Sequence, residues 1–593
     1  MSRITIEFAS DGTKFEADEG ILLSEACEKA GFPQDLVCGG NGKCGKCAAE
    51  IIEDNVSRTV LSCHYNVTHD IVVNKIHNLA NRKVNVLTSN SDLDCAINPQ
   101  LRVLTVAVAD IAGEHCGSYA EEIQEKFRLG ITYRSLFKLS RKALTFSKEK
   151  QISLIIHNDV IIDVLETADP EIFGMAIDIG STTVAGYIYN METAELAGIY
   201  SSLNAQTGLG ADVISRIGFC VNNKDGNRIM KEKVNETINY LLSGAEKDGI
   251  DINSIYHVVL CGNSTMQHLF LEFYPENLGF APFLSATHDF VEISGKESGL
   301  NVNEDAIVTF LPLLGGFVGA DTTAVLLGIP DDSSPRLVID LGTNGEIAVG
   351  ADDSYIIAST ACGPALEGAG LSCGMRAAEG SIEHYRILPD RTSEIDVIGD
   401  CAPTGICGSG IIDILAELLR ANIITERGKM LSEEEYVAKY GEDDLSGRLR
   451  KLDDKNIFVL AEKDETGSGE LLYFSQMDAR QIQLAKAAIA TGCAMVVANY
   501  GINPQDLKEI CLAGAFGNYL DVENAQYIGL FPKYEGVPVR SIGNGAGTGV
   551  QMYLLDQSAV NKCRKIRRNA QHTELNFQED FKETYFDQML FRK

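Results

Sequence analysis

The alternation of apolar and polar positions changes character several times along the 593 residues. Arg3 to Phe8 and Thr13 to Phe15 alternate with period two around an Asp11-Gly12 turn, which predicts a short hairpin. A helical pattern follows from about Ile21 to Ala30 and is stopped by Gly31. The polar stretch from Ile76 to Asp94, rich in Asn and Ser, reads as a linker. Beyond it, strand patterns at Leu101–Val108, Ile152–Ile156 and Val160–Leu165 and helical patterns at Tyr119–Arg128 and Tyr133–Lys142 predict one small α/β unit. From Phe173 strands and helices alternate to the end, as in an α/β protein. The expected organisation is 1–78, a linker 79–98, a middle α/β domain 99–170, and 171–593 in two halves of about 171–330 and 331–560.

An apolar share of 45% with 23% charged residues excludes wholesale disorder. The net charge of −32 disfavours nucleic acid and anionic lipid as partners, because both need clustered Lys and Arg. That charge is uneven: −5 on residues 1–80, +3 on 81–150 and −30 on the rest. The basic run Lys562 to Arg568 reads as a solvated surface. The N-terminus has no apolar core of a signal peptide, and the longest uncharged apolar run, Ala306 to Ala320, is short of the ~20 residues of a membrane span. A cytoplasmic protein with reduced thiols is expected, since 16 cysteines are sparse in so long a chain.

Four of those cysteines form Cys38-x5-Cys44-x2-Cys47-x15-Cys63. Thiolates are soft metal ligands, and Gly39, Gly40, Gly42 and Gly45 let the backbone fold closely round an inorganic core. The plant-type [2Fe–2S] spacing has one residue fewer in the first gap and a more remote last ligand, so the match is near but imperfect. Zinc, which usually takes two Cys-x2-4-Cys pairs, and unliganded thiols are the alternatives. With its flanking strands and helix the segment resembles a β-grasp ferredoxin domain, which implies a [2Fe–2S] cluster on Cys38, Cys44, Cys47 and Cys63. Cys27, Cys362, Cys373, Cys401 and Cys407 read as ordinary interior thiols.

A second constellation is a pair of acidic glycine turns, GMAIDIGSTT at 174–183 and RLVIDLGTNGE at 336–346. In each an apolar strand enters Asp-apolar-Gly, and Asp178 and Asp340 lie 162 positions apart, which indicates an internal duplication. Glycine lets backbone N–H groups approach a phosphate, the hydroxyls of Ser181, Thr182, Thr183 and Thr343 donate to it, and the aspartates can hold Mg²⁺. No G-x-x-x-x-G-K-[ST] occurs, so this is not a P-loop. A third element, Glu509 to Ala513 running into Gly514-Ala515-Phe516-Gly517 and a helix capped by Asp521, offers small residues for a flat purine.

Together these resemble the ASKHA superfamily of sugar kinases and actin over about residues 173–560. That resemblance implies two duplicated RNase H-like domains closing over ATP-Mg²⁺. It aligns Asp178, Gly180, Ser181, Thr182 and Thr183 with the phosphate-1 motif, Asp340, Gly342, Thr343, Asn344, Gly345 and Glu346 with phosphate-2, and Gly514, Ala515, Phe516 and Gly517 with the adenosine motif. Asp178 and Asp340 are the metal-side candidates; Asp321 and Glu346 are candidates for orienting the attacking water, and each also fits a structural cap or turn acid. Gly363–Met375 is expected to be a mobile loop by the nucleotide or partner, and Gly543–Gly549 to open a helix.

Three further stretches, Asn204–Ile217, Cys261–Phe270 and Gly315–Ala324, sharpen the match. With the ferredoxin module they make the chain resemble the reductive activators of corrinoid proteins. That family implies electron transfer from the [2Fe–2S] cluster to the Co(II) corrinoid of a methyl-transferring protein, a low-potential electron donor, and a homodimer through the ASKHA domain. The alternative is an ASKHA small-molecule kinase with a redox-sensing ferredoxin domain. A non-enzymatic redox scaffold and an activator of radical dehydratases are further rivals; the acidic turns argue against the first and the ferredoxin module against the second.

Overall fold

The computed structural model describes residues 3–32, 34, 47–53, 56–76, 93, 95–111, 117–142, 150–342, 344–368, 370–514, 517 and 519–591. They divide into two compact units. The first takes in the described residues from 3 to 327 together with Gly547–Cys563; the second takes in Gly328–Ala546 and the described residues from Arg564 onward.

Among the described residues the first unit holds three sheets of four or more strands and one two-stranded ribbon. The N-terminal one has the spatial order Lys14–Asp18, Arg3–Phe8, Ile71–Ile76, Ala48–Glu53, Val56–Leu61, with Arg3–Phe8 parallel to Ile71–Ile76 and antiparallel hairpins outside them. Alternation along Arg3–Phe8 sends Ile4, Ile6 and Phe8 into a core closed by Leu23, Ala26 and Cys27 of the helix Leu23–Lys29. This is the β-grasp arrangement. The helix starts later than the sequence pattern suggests, because Ile21–Leu22 is drawn out to pair with Asn66–Val67.

The next sheet orders Leu101–Ala107, Gln151–His157, Val160–Leu165 and Gly130–Ile131, with helices Tyr119–Phe127 and Tyr133–Lys142. It is joined to the third sheet by ions: Lys138 Nζ lies 2.5 Å from Asp163 and 2.7 Å from Asp305, while Tyr256 donates to Asp163 at 2.9 Å. His157 and His257 meet edge-on in the same seam, ring centres 4.5 Å apart, and burial lowers the pKa of both, that of His157 to about 4.

The third sheet runs Leu196–Leu203, Thr183–Asn190, Phe173–Ile179, Ile255–Gly262, Ile307–Phe310, Val291–Ser294. Its first three strands form an antiparallel meander, and the next two run parallel to Phe173–Ile179. Part of its support comes from far along the chain: Tyr189 donates to Gln551 at 2.6 Å, and Phe290 packs on Tyr553.

The second unit repeats the pattern. Ser354–Thr360, Gly345–Ala351 and Arg336–Leu341 form the meander, and Ile510–Ala513 and Val539–Gly543 lie parallel beyond it. Gly545–Leu555, most of which belongs to the first unit, is a helix, as expected of the glycine-rich run. Among the described residues one helix, Gln476–Tyr500, is long and apolar enough to cross a membrane, but 78% of its apolar window is buried. It packs on Gly345–Ala351 and Ser354–Thr360, where Ile347 leaves no room for a Cβ at Gly492, so it is a core helix of this lobe.

Candidate cluster and nucleotide sites

The cysteine end is built by the hairpin Ala48–Glu53/Val56–Leu61, in which Ala48 stands opposite Leu61. One further bond, from the Ser62 N–H to the Cys47 carbonyl at 3.0 Å, extends the ladder and brings the buried sulfurs of Cys47 and Cys63 to 3.1 Å. The helix Leu23–Lys29 fixes this corner from its first turn: the Leu23 N–H donates to Tyr65 and the Ser24 N–H to Ser62. The Ser62 hydroxyl is fully buried with no hydrogen-bond partner among the described residues, as expected beside an acceptor such as sulfide. Two converging soft donors and an orphaned hydroxyl fit a thiolate-held inorganic core. Cys38 and Cys44 lie outside the described residues. Cys27 packs in the module's core, where burial pushes its thiol up to about 12; it is the interior residue its pattern predicts.

The first acidic turn ends the strand Phe173–Ile179. Gly180 donates its N–H to the Thr183 carbonyl at 2.9 Å, closing a tight turn over Ser181 and Thr182, and Asp178 remains partly exposed at its edge. The three stretches that sequence alone left without roles converge here. Asn204 donates its N–H to Thr182 at 2.8 Å and its side-chain amide to the Gly180 carbonyl at 3.0 Å. Arg216, fully buried, donates to the Ser181 carbonyl, to Gly210 at 2.9 Å and to Gln206 at 3.0 Å. Asn263 caps the helix Ser264–Leu271 and donates to the Ser181 hydroxyl at 2.9 Å. The Cys261 thiol lies 3.8 Å from Oδ1 of Asp178. Asp321, in the first turn of Ala320–Leu327, flanks the same place: a Cβ added at Gly319 would stand 2.4 Å from the Asn263 Cα and 2.7 Å from Oδ1 of Asp321. Burial pushes the Asp321 carboxyl up to about 6, against the pull of the Thr322 N–H.

The second turn differs in one respect. Asp340 stands directly opposite Glu346 across its hairpin, where Asp178 stands opposite Ala185. Two carboxylates in one cross-strand pair repel unless a cation is shared. The Ser359 hydroxyl donates to Glu346 at 3.3 Å, and Gly342 and Asn344 close the turn at 3.1 Å. Gly514 touches this turn: a Cβ there would lie 2.9 Å from the Leu341 carbonyl and 3.0 Å from Oδ1 of Asp340. Thr343, Ala515 and Phe516 lie outside the described residues. Of glycine-rich Gly363–Met375, expected as a mobile loop, the C-terminal end is held in place: Ser372 donates its N–H to Asp478 at 2.8 Å and Met375 its N–H to Ile406 at 2.9 Å. Cys362, just before it, donates to Gly342, with its thiol pushed up to about 12 by burial and by Glu346 and Glu367. Of the cysteines read as interior, Cys401 is instead exposed.

The two lobes share more than their aspartates. Asp178 pairs in parallel register with Cys261 and Asp340 with Ala513; in each case the next residue, Gly262 or Gly514, sits against the carbonyl that follows the aspartate. Cys261-Gly262 is thus the first lobe's counterpart of Ala513-Gly514. Small residue-Gly after an apolar strand was the available sequence signal.

Comparison with known proteins fits this geometry. The model described as the RACo middle region matches residues 173–330, and that described as the C-terminal domain of RACo, the ASKHA domain, matches residues 334–593. The corrinoid activation enzyme RamQ of Eubacterium limosum is 41% identical over 589 residues, 98% of this chain and 97% of that protein. The chain belongs to the reductive activators of corrinoid proteins. This activator is also 25% identical over 462 residues, 71% of its length and 77% of the relative, to the Co(II) methylated amine-specific corrinoid protein reductase of Methanosarcina barkeri. A solved structure of a reductive activator for corrinoid, iron-sulfur protein matches the activator with a TM-score of 0.72 at 26% identity, covering 99% of this chain and 98% of the other. The expected architecture, a β-grasp module, a small α/β domain and a duplicated ASKHA domain, is the one found.

Proposed function

We propose that this activator is an ATP-dependent reductive activase that returns a Co(II) corrinoid, on a methyl-transferring corrinoid protein, to Co(I). The observation that carries the reading is the 41% identity to a corrinoid activation enzyme along nearly the whole chain. A [2Fe–2S] cluster, when bound by Cys38, Cys44, Cys47 and Cys63, supplies one electron at a potential near about −400 mV. One electron converts Co(II) to Co(I), and a low-potential donor protein restores the electron. An acceptor lying ~200 mV lower would remain ~2,000-fold unreduced at ~59 mV per tenfold, so the step needs coupling to ATP.

The acidic turns are the proposed coupling elements. Asp178 and Asp340 would hold Mg²⁺, and the cross-strand carboxylate pair Asp340–Glu346 supports a cation on that face. The amides and hydroxyls of Gly180–Thr183 and Gly342–Gly345 receive phosphate oxygens, Gly514–Gly517 receives the adenine, and Asp321 or Glu346 accepts a proton from the attacking water. Because a ligand shifts an equilibrium only through different affinities for two states, the Co(II) form of the partner is bound tightly and ATP turnover releases the complex after the electron moves. A homodimer through the ASKHA domain belongs to the same reading.

The test is anaerobic: chemically reduced activator, Mg-ATP and Co(II) corrinoid proteins, followed by the Co(I) absorption band. The reading expects the band with ATP and its absence without. No Co(I) in either case, or ATP hydrolysis indifferent to the partner's redox state, would overturn it.

A further inference from the structure

The ferredoxin-like module is seated on the third sheet's helices at a point that leads to the first acidic turn. Glu28, in the last turn of Leu23–Lys29, accepts a hydrogen bond from Lys233 Nζ at 2.7 Å, and Glu236 stands 3.3 Å from the same nitrogen. Burial opposes the Lys233 charge, but the two carboxylates outweigh it and raise its pKa. The backbone of Gly208 adjoins the same carboxylate, since a Cβ there would stand 3.8 Å from Oε1 of Glu28.

Lys233 lies on the helix Gly226–Lys247, and one turn further on Thr237 accepts the Ala205 N–H at 3.0 Å while its hydroxyl donates to the Lys233 carbonyl at 3.1 Å. Ala205–Gly208 is a short 3-10 turn capped by Asn204, the residue that binds the Gly180 and Thr182 carbonyls. At the opposite end of the ferredoxin helix, the Ser24 N–H holds Ser62, next to Cys63.

We infer that Glu28 and Lys233 are positioning residues for the nucleotide: seating the ferredoxin helix on Lys233 and Gly208 fixes the 204–208 turn, which fixes the carbonyls that shape Asp178–Thr183. The inference rests on the reading that this turn takes ATP. Preorganising a binding loop tightens its ligand, and linkage makes the effect reciprocal, so a bound nucleotide strengthens the seating of the module by the same factor. The side chains of Glu28 and Lys233 are 35% and 25% exposed, which keeps the coupling modest.

The experiment is titration of the full-length, cluster-loaded protein with Mg-ADP in the parent, Glu28→Lys, Lys233→Glu and the charge-swapped double variant, with iron content and visible spectrum as checks of folding. Each single change is expected to raise Kd about two- to fivefold, the upper figure being worth about 1 kcal/mol, and the swap to restore it. Unchanged affinity in both single variants, or a double variant as weak as the two singles combined, overturns the inference alone. A parent protein that binds no Mg-ADP overturns the ATP reading, and this inference with it.

Discussion

Replacing Arg216 by Met is the sharpest probe of how the first turn is held. The thioether keeps most of the apolar stem but removes every donor. The Ser181 carbonyl, the Gly210 carbonyl and the Gln206 Oε1 each lose a partner in a site with no solvent access at Arg216. At about 1 kcal/mol for each of the hydrogen bonds lost to these acceptors, the local cost is about 3 kcal/mol. The share borne by Ser181 alone, about 1 kcal/mol, would weaken a nucleotide bound at Asp178–Thr183 about fivefold. A chain of several folding units has no single unfolding free energy, so hydrogen exchange over Phe173–Asn190 is the stability readout, and protection there should fall about a hundredfold or somewhat more. Mg-ADP titration reads the affinity. Arg216→Lys, which can satisfy one acceptor, should fall between parent and Met variant. Parental exchange and parental affinity in Arg216→Met would refute the claim that this guanidinium shapes the turn.

Three other outcomes follow from the site. Asp178→Asn or Asp340→Asn should abolish phosphate release from ATP while leaving the visible spectrum of the cluster unchanged; retained turnover would remove that aspartate from the metal side. Cys47→Ser and Cys63→Ser should lose iron, measured per chain, whereas Cys27→Ala should keep it, because its buried thiol is pushed up to about 12 and faces the module's core. Asp321 has its carboxyl raised from 3.8 to about 6, so it is protonated below about 6 and ionised, at a cost to the fold, above it. Should it accept the proton of the attacking water, ATP hydrolysis rises with pH through about 6 and Asp321→Asn lacks that limb; a parental acid limb in the variant assigns the proton elsewhere.

Local chemistry made part of this legible in the sequence. Apolar strand, aspartate, glycine and small hydroxylated residues announce a phosphate turn within ten positions, and Tyr133–Lys142 and Val160–Leu165 follow their own periodicity. What the sequence hid depends on partners far along the chain. Leu22 reads as helical but is drawn into a strand by Asn66. Nothing local marks Arg216, within Asn204–Ile217, for the carbonyl it binds, that of Ser181, 35 positions earlier. Asn263 lies in a stretch to which sequence alone assigns no role; its contact with Ser181 exists because two parallel strands set Asp178 beside Cys261. A buried cation recognising a backbone carbonyl leaves no pattern in composition or periodicity.

The return of Gly547–Cys563 to the first unit has a consequence for how the protein is made. When Leu327 has left the ribosome, the sheet carrying Asp178 still lacks the segment that supplies Gln551 to Tyr189 and Tyr553 to Phe290. Translation of Gly328–Ala546 then takes roughly 10–45 s at ~5–20 residues per second. For that interval the nascent first lobe presents an unfinished apolar face, and the opportunity for a chaperone to hold it, or for a neighbouring nascent chain to pair with it, is set by the length of the second lobe.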